Sequence, residues 1–292
     1  MRHDTRHLSN KVDSQFKSLR TTFKMLKSVL KVLLIQYIFL NGKIGQIGSN
    51  GIGIKEFYER NSRGAVKIHL RTIHMRVPYN SVAQTNKVVT YVKRRLPKNH
   101  DVYVHFALPK VSRANGRHIV THSTRANAIH EFGHTLGLSH ANSRLRWNIT
   151  KRGNDPFSQM TTGIPYFSMN PPHLYQLNWF LPGEITLHST ERQMGQNHIY
   201  TLHQLRDFHI GPVLKCVHIK IRSEVGAMRS HFLSYGKIDG QLYIALHVVY
   251  GEGHSFLLGK YPVERRTFSH RQIGLSFNVL SFNNSVVRLV VL

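Results

Sequence analysis

The stretch HEFGHTLGLSH, residues 130–140, sets three histidines, a glutamate and a glycine at spacings suited to metal-assisted hydrolysis. On a helix, His130 and His134 lie one turn apart on one face, so both imidazoles can reach a single ion. Glu131 is adjacent and can reach water on that ion without being a ligand itself. Gly137 permits the positive φ that ends a helix, and the turn it makes can bring His140 round as a third ligand. Three neutral imidazoles leave a fourth zinc position open, which hydrolysis needs and a closed structural site lacks. With Zn2+ polarising a carbonyl and acidifying water, Glu131 can take a proton and return it to a leaving amine. The chain holds 21 His and 21 Gly in 292 residues. Even so, independent positions produce this pattern in only about two of ten thousand such chains.

Two methionines closely follow the motif. GNDPFSQMTTG places Met160 at a turn downstream of His140. The other candidate, Met169 in YFSMNPP, is followed at once by Pro171 and Pro172 and fits a turn less well. His118 and His122, just before the helix, read as surface residues on an edge strand, with contact to substrate or a second metal as the other reading. His198, His203, His209, His231 and His270 have no chelating spacing and read as surface or half-buried residues.

H-E-x-x-H-x-x-G-x-x-H followed by a methionine turn is the metzincin signature. HEFGHTLGLSHA, NDPFSQMTTG and MNPPHLYQLNWFLPGEI together resemble the gametolysin family of zinc metallopeptidases. In that family an aspartate-containing methionine turn precedes an N-x-P-H-x-x-Q-L-G-W-like segment. Asn170, Pro172, His173, Gln176, Leu177 and Trp179 stand in those positions, with Asn178 where glycine is usual. The resemblance covers residues 100–183. It implies a metzincin-like catalytic domain, one catalytic zinc, Met160 as the turn methionine, and cleavage of extracellular-matrix or cell-wall proteins. The near absence of cysteine, the basic charge and the compact region before the helix depart from the family.

Several elements must position these residues. AVKIHL alternates Val66, Ile68 and Leu70 as a strand does, and DVYVHFAL does the same with Val102, Val104, Phe106 and Leu108. SVAQTNKVVTYVKRRL, closed by Pro97, carries an apolar helical face. RHIVTH, after the Asn115-Gly116 turn signal, reads as a short edge strand bordering the cleft, where an extended substrate could add by strand pairing. Ser123 or Thr124 can cap the motif helix, and Gly137 ends it. After LPGE at 181–184 the chain becomes a series of strand-like segments, with hairpin signals at Asp239-Gly240 and Asn283-Asn284. The predicted fold is α+β: a metzincin-like catalytic domain with a mixed sheet and a zinc-binding helix, then a β-sandwich-like C-terminal domain. Its divisions are a basic N-terminal segment at 1–60, the protease domain at 61–183 and the β-rich domain at 184–292. On that division a chain ending near Gly183 should still bind one zinc.

The N-terminal segment has two readings. Met25–Leu40, MLKSVLKVLLIQYIFL, sets basic residues before an apolar stretch, as in a signal or membrane anchor. Lys31 and Gln36 interrupt it and no cleavage site follows, so a buried or amphipathic helix is the other reading. Residues 41–64 are glycine-rich and read as a linker.

Forty Lys and Arg against 14 Asp and Glu give a formal charge of +26. Such a field favours polyanions, whether glycan or nucleic acid, beside a protein or peptide substrate. No C2H2 spacing or RNP-like aromatic motif marks a dedicated nucleic-acid reader. Cys216 is the single cysteine, so no disulfide forms within the chain and no cysteine holds zinc. That weakens the secreted or membrane-associated setting the resemblance implies. Cys216 also lies downstream of the catalytic helix, where a propeptide thiol cannot be. Cys216→Ser is expected to leave activity and its onset unchanged, and activation by this substitution in a peptide-cleavage assay would contradict that.

Overall fold

The apolar run KVLLIQYIFL forms strand β1 (Lys31–Leu40), which corrects the helical reading over these ten residues, while residues 25–30 lie outside the described residues. It lies between parallel neighbours β2 (Val66–Met75) and β3 (Val102–Phe106), with Leu33 opposite Ile68 and Tyr37 opposite Val104. A strand paired on both sides in a parallel sheet reads as a near-continuous apolar run, without the alternation of a half-solvated strand. Among the described residues, no helix is long and apolar enough to cross a membrane.

The computed structural model describes residues 31–40, 54–75, 102–106, 113–115, 118–121, 125–146, 149–151, 154–161, 168–189, 197–207, 213–222, 228–250 and 254–292, with isolated positions 87, 90, 91, 94 and 211. Most of the helix expected over 81–96 lies outside these residues, although Lys87, Thr90 and Tyr91 are helical. Ser123, Thr124, His122, His209 and the glycines at 42–53 also lie outside them.

Helix α1 (Ile54–Asn61) occupies the end of the stretch expected to be linker. Ile54, Phe57, Tyr58 and Asn61 repeat at helical spacing and form its buried face. The first sheet has the order β2-β1-β3-β5-β4, where β4 is Arg113–Asn115 and β5 is His118–Thr121. β1 is internal to that sheet, so the expected boundary at residue 60/61 does not separate the N-terminal segment from the protease region. The edge position also differs from expectation. β5 lies inside, parallel to β3, and β4 is the antiparallel edge strand. β4 and β5 pair antiparallel with Asn115 opposite His118, in keeping with the turn signal between them, but a strand of only three residues is too short to show a period.

The second sheet has seven strands in the order β7-β6-β13-β12-β11-β10-β8. These are β6 (Ala141–Arg146), β7 (Ile149–Lys151), β8 (Ile185–Ser189), β10 (Cys216–Arg222), β11 (Met228–Ile238), β12 (Gln241–Tyr250) and β13 (His254–Pro262). A four-stranded sheet has the order β14-β15-β16-β9, with β9 at His198–His203, β14 at Thr267–His270, β15 at Leu275–Phe282 and β16 at Val286–Val291. Leu202, Phe277 and Leu289 of the smaller sheet meet Val217, Leu233 and Ile244 of the larger one in a common buried core. Asp239 and Gly240, both at positive φ, make the tight turn between β11 and β12. Asn283 closes the β15–β16 turn, its Oδ1 accepting the N–H groups of Ser285 and Val286.

The seven-stranded sheet crosses the boundary expected at 183/184. β6 begins immediately after His140 and pairs in parallel with β13, with Ala141 opposite Ser255. At the boundary itself, buried Glu184 accepts hydrogen bonds from Arg63 Nε at 3.3 Å and Lys215 Nζ at 2.8 Å. All three side chains are 5% exposed or less. A chain ending at Gly183 would leave β6 with β7 but without β13, and would remove Glu184 and Lys215 from this ion cluster, which weakens the ground for expecting such a fragment to fold and keep zinc.

Candidate metal centre

The motif lies on helix α2 (Arg125–Thr135). Ala128, Ile129 and Phe132 anchor it in the same core as Phe57, Tyr58, Ile68 and Ile119. Tyr58 holds the helix from the other side, its hydroxyl donating to the Ile129 carbonyl at 2.6 Å and its ring set edge-on to Phe132. The helix ends in two nested bonds. Leu138 N–H reaches the Gly133 carbonyl and Gly137 N–H the His134 carbonyl, with Gly137 at φ 85°. This pattern needs a left-handed residue after the last turn, which glycine supplies without a Cβ clash. The reversal carries His140 back beside His130 and His134.

The three imidazoles converge. His134 Nε2 lies 3.2 Å from both His130 Nε2 and His140 Nε2. All three ligating atoms fall within 4.8 Å of one another. The opposite ring nitrogens of the helical pair face carbonyls: His130 Nδ1 donates to Gln159 O at 3.2 Å and His134 Nδ1 to Leu138 O at 2.7 Å. A carbonyl can only accept, so each neutral ring carries its proton on Nδ1 and presents a bare Nε2 lone pair. Burial first, then His134, pushes the His130 imidazole down to about 4, so it is neutral at pH 7 and in the ligating form. Lone pairs aimed at each other repel unless a cation lies between them. Tetrahedral Zn–N bonds of about 2.0–2.1 Å set ligand nitrogens about 3.3 Å apart, close to the 3.2 Å from His134 Nε2 to each of the other two. The cluster fits a zinc ion.

Glu131 is buried beside the triad. Burial raises its carboxyl above the usual range, while His134 and the Ala114 backbone N–H of β4 pull in the other direction. The Ala114 amide on edge strand β4 thus holds a carboxyl group next to the three imidazoles. A bound dication would act against that rise.

Met160 is fully buried in the turn at 159–160. A Cβ added to Gly133 would lie 2.2 Å from Met160 Sδ and 3.2 Å from the Tyr58 hydroxyl. The thioether therefore seats against the helix between His130 and His134, a contact that requires glycine at 133. Gly133→Ala is expected to displace Met160 and lower stability by about 1–3 kcal/mol, as overpacking does. Unchanged thermal denaturation of this variant would contradict the close contact. Met169 is also buried, in the same core, and its backbone N–H bonds to Asn61 Oδ1 on α1. Neither Gly133 nor Tyr58 stands out in the sequence as a site residue: the contacts that use them come from residues far along the chain.

The downstream segment forms helix α3 (Pro171–Gln176), with Asn170 as its cap accepting from His173 N–H. α3 ends with Trp179 N–H on the Leu174 carbonyl and Asn178 N–H on the Tyr175 carbonyl. Asn178 there has φ 56°. This is why asparagine can stand where glycine is usual: after glycine it is among the residues that best tolerate the left-handed region. Gln176 Nε2 donates to the Gly137 carbonyl at 3.2 Å, tying α3 to the turn before His140. His173 is fully buried, and burial pushes it down to about 3. The side chain of His118 lies outside what is described. His231, expected at or near the surface, is instead buried at 1% exposure, because β11 is covered on that face. Cys216 is buried and burial pushes its thiol well above the usual range, so it is an inert core residue.

No protein-family profile matches the chain, and no curated protein matches it. Among solved structures the chain is similar to archaemetzincin from Methanopyrus kandleri, with 15% identity and a TM-score of 0.36 over 52% of this chain and 94% of that one.

Proposed function

We propose that the protein is a zinc-dependent metalloendopeptidase of metzincin type, gametolysin-like in its motifs, acting on protein substrates. The observation that carries this reading is the convergence of the His130, His134 and His140 Nε2 atoms beside the buried Glu131 carboxyl. His130, His134 and His140 would hold the ion, and Met160 would underlie it. When bound, zinc supplies Lewis acidity toward a peptide carbonyl and toward water. The remaining work belongs to the chain. Glu131 accepts a proton on its carboxylate and delivers it to the departing amine. The Ala114 N–H keeps that carboxylate oriented. β4, the edge strand among the described residues, borders the site, where an extended substrate could add by strand pairing. A carboxylate that served as a fourth ligand would suit a closed structural site, and Glu131 is not grouped with the ligating atoms.

The test is digestion of a mixed peptide library with and without a chelator. Cleavage inside peptides that stops on chelation and returns with zinc supports the reading. Stoichiometric zinc with no cleavage would favour a catalytically weak or inactive zinc-binding module instead. The charge of +26 favours polyanionic partners in either case. Retention on heparin is expected to weaken steeply between low and moderate salt as condensed counterions cease to drive binding. Salt-independent retention would count against an electrostatic contact.

A further inference from the structure

Asp155 opens the turn that carries Met160, and it is fully buried. Its Oδ1 accepts the Phe157 N–H at 2.9 Å. Its Oδ2 accepts Asn170 Nδ2 at 2.8 Å and His247 Nε2 at 3.1 Å. Asn170 in turn donates to Ser255 Oγ at 2.7 Å. His247 lies on β12 and Ser255 on β13, so two strands of the C-terminal part reach the base of this turn. The turn then meets the triad at three points. The Gln159 carbonyl accepts from His130 Nδ1, Met160 Sδ abuts Gly133, and the Met160 carbonyl accepts the N–H of Ala141, the neighbour of His140.

We infer that His247 is a positioning residue for the metal centre: through Asp155 it fixes the turn at 155–161, whose Gln159 carbonyl sets the tautomer and orientation of His130. This rests on the reading of the triad as a zinc site. The geometry gives His247 a role that reach alone can test. Its ring is 0% exposed and donates one bond into a carboxylate, and a glutamine amide can donate the same bond whereas leucine cannot. Partners that orient metal ligands typically carry about 10–100-fold in metal affinity.

The experiment measures zinc affinity by chelator competition, and the visible spectrum of the cobalt-substituted full-length chain, for wild type, His247→Leu and His247→Gln. His247→Leu is expected to bind zinc about 10–100-fold more weakly with an altered cobalt spectrum, and His247→Gln to recover most of both. Should His247→Leu fail to fold, Ser255→Ala removes the parallel link through Asn170. It is expected to weaken zinc by about two- to tenfold, the range of one hydrogen bond. Wild-type zinc affinity and cobalt spectrum in a folded His247→Leu or Ser255→Ala variant, with only the melting temperature lowered, would overturn the inference. Because affinity is read without turnover, a wild-type chain that binds zinc but cleaves nothing removes the peptidase reading and leaves this one intact.

Discussion

Replacing Glu131 with glutamine should abolish most peptide cleavage while leaving one zinc per chain. Glutamine preserves size and hydrogen-bonding reach, so the contact to the Ala114 backbone can persist through its amide oxygen. What it loses is the capacity to accept a proton at that position. Proton transfer by a positioned side chain is worth about 10²–10⁴-fold, so the fall should be at least that large. The metal should stay because the three Nε2 atoms that define the site belong to other residues. His134→Ala is the contrasting variant. His134 Nε2 sits between the other two at 3.2 Å from each, so its removal leaves two separated imidazoles, and both zinc and activity should go. Zinc stoichiometry and initial rates on the same preparations decide the matter. Loss of zinc from the glutamine variant would make Glu131 a ligand, and full activity in that variant would remove the mechanism.

The second large effect concerns stability. Glu184→Leu leaves the Arg63 guanidinium and the Lys215 ammonium buried without their shared carboxylate. Breaking a buried ion pair by removing one partner costs about 3–5 kcal/mol, a substantial part of the about 5–15 kcal/mol that holds a typical domain together. Denaturant unfolding at neutral pH reads that loss directly, and a change below about 1 kcal/mol would mean the cluster is solvated in solution. The pH dependence has a definite sign. Burial acts to raise Glu184, but Lys215, the Leu181 N–H and Arg63 together bring it below the usual carboxylate range. Asp155 is likewise held below the usual carboxylate range: burial raises it, and His247, Asn170 and the Phe157 N–H outweigh that. Carboxyls depressed in the folded state add stability above their unfolded pKa and lose it as pH falls through the folded one. Wild-type stability contributed by these two groups should therefore hold at neutral pH and fall away below about pH 4. The Glu184→Leu variant should show a shallower acid limb. Lys215 is pushed below its usual range by burial despite Glu184, so the cation side of this cluster opposes part of the gain.

The candidate metal centre was legible in the sequence because its chemistry is local. His130, Glu131, His134, Gly137 and His140 fall within eleven consecutive residues, and helix geometry plus one left-handed glycine determine how they meet. The turn carrying Met160 and the two hairpins at Asp239-Gly240 and Asn283-Asn284 were legible for the same reason: a few adjacent residues impose the backbone. The alternating strands β2 and β3 were also readable from their period.

What the sequence left undetermined depends on partners far along the chain. KVLLIQYIFL suits a membrane helix, a core helix or an enclosed strand equally well by composition. Only pairing with β2 and β3 on both sides makes it β1. Tyr58 and Gly133 look ordinary until the Ile129 carbonyl and the Met160 sulfur are brought against them. The division at residue 183 followed a change in local texture, but β6 pairs with β13 across it, and Arg63, Glu184 and Lys215 bury their charges together on it. The sequence by itself determined which atoms can hold a metal, because ligand spacing is a property of a single helix and the turn after it. The tertiary structure decided what holds those atoms still, because a buried carboxylate such as Asp155 must find its donors wherever the fold places them, here on His247, ninety-two residues away.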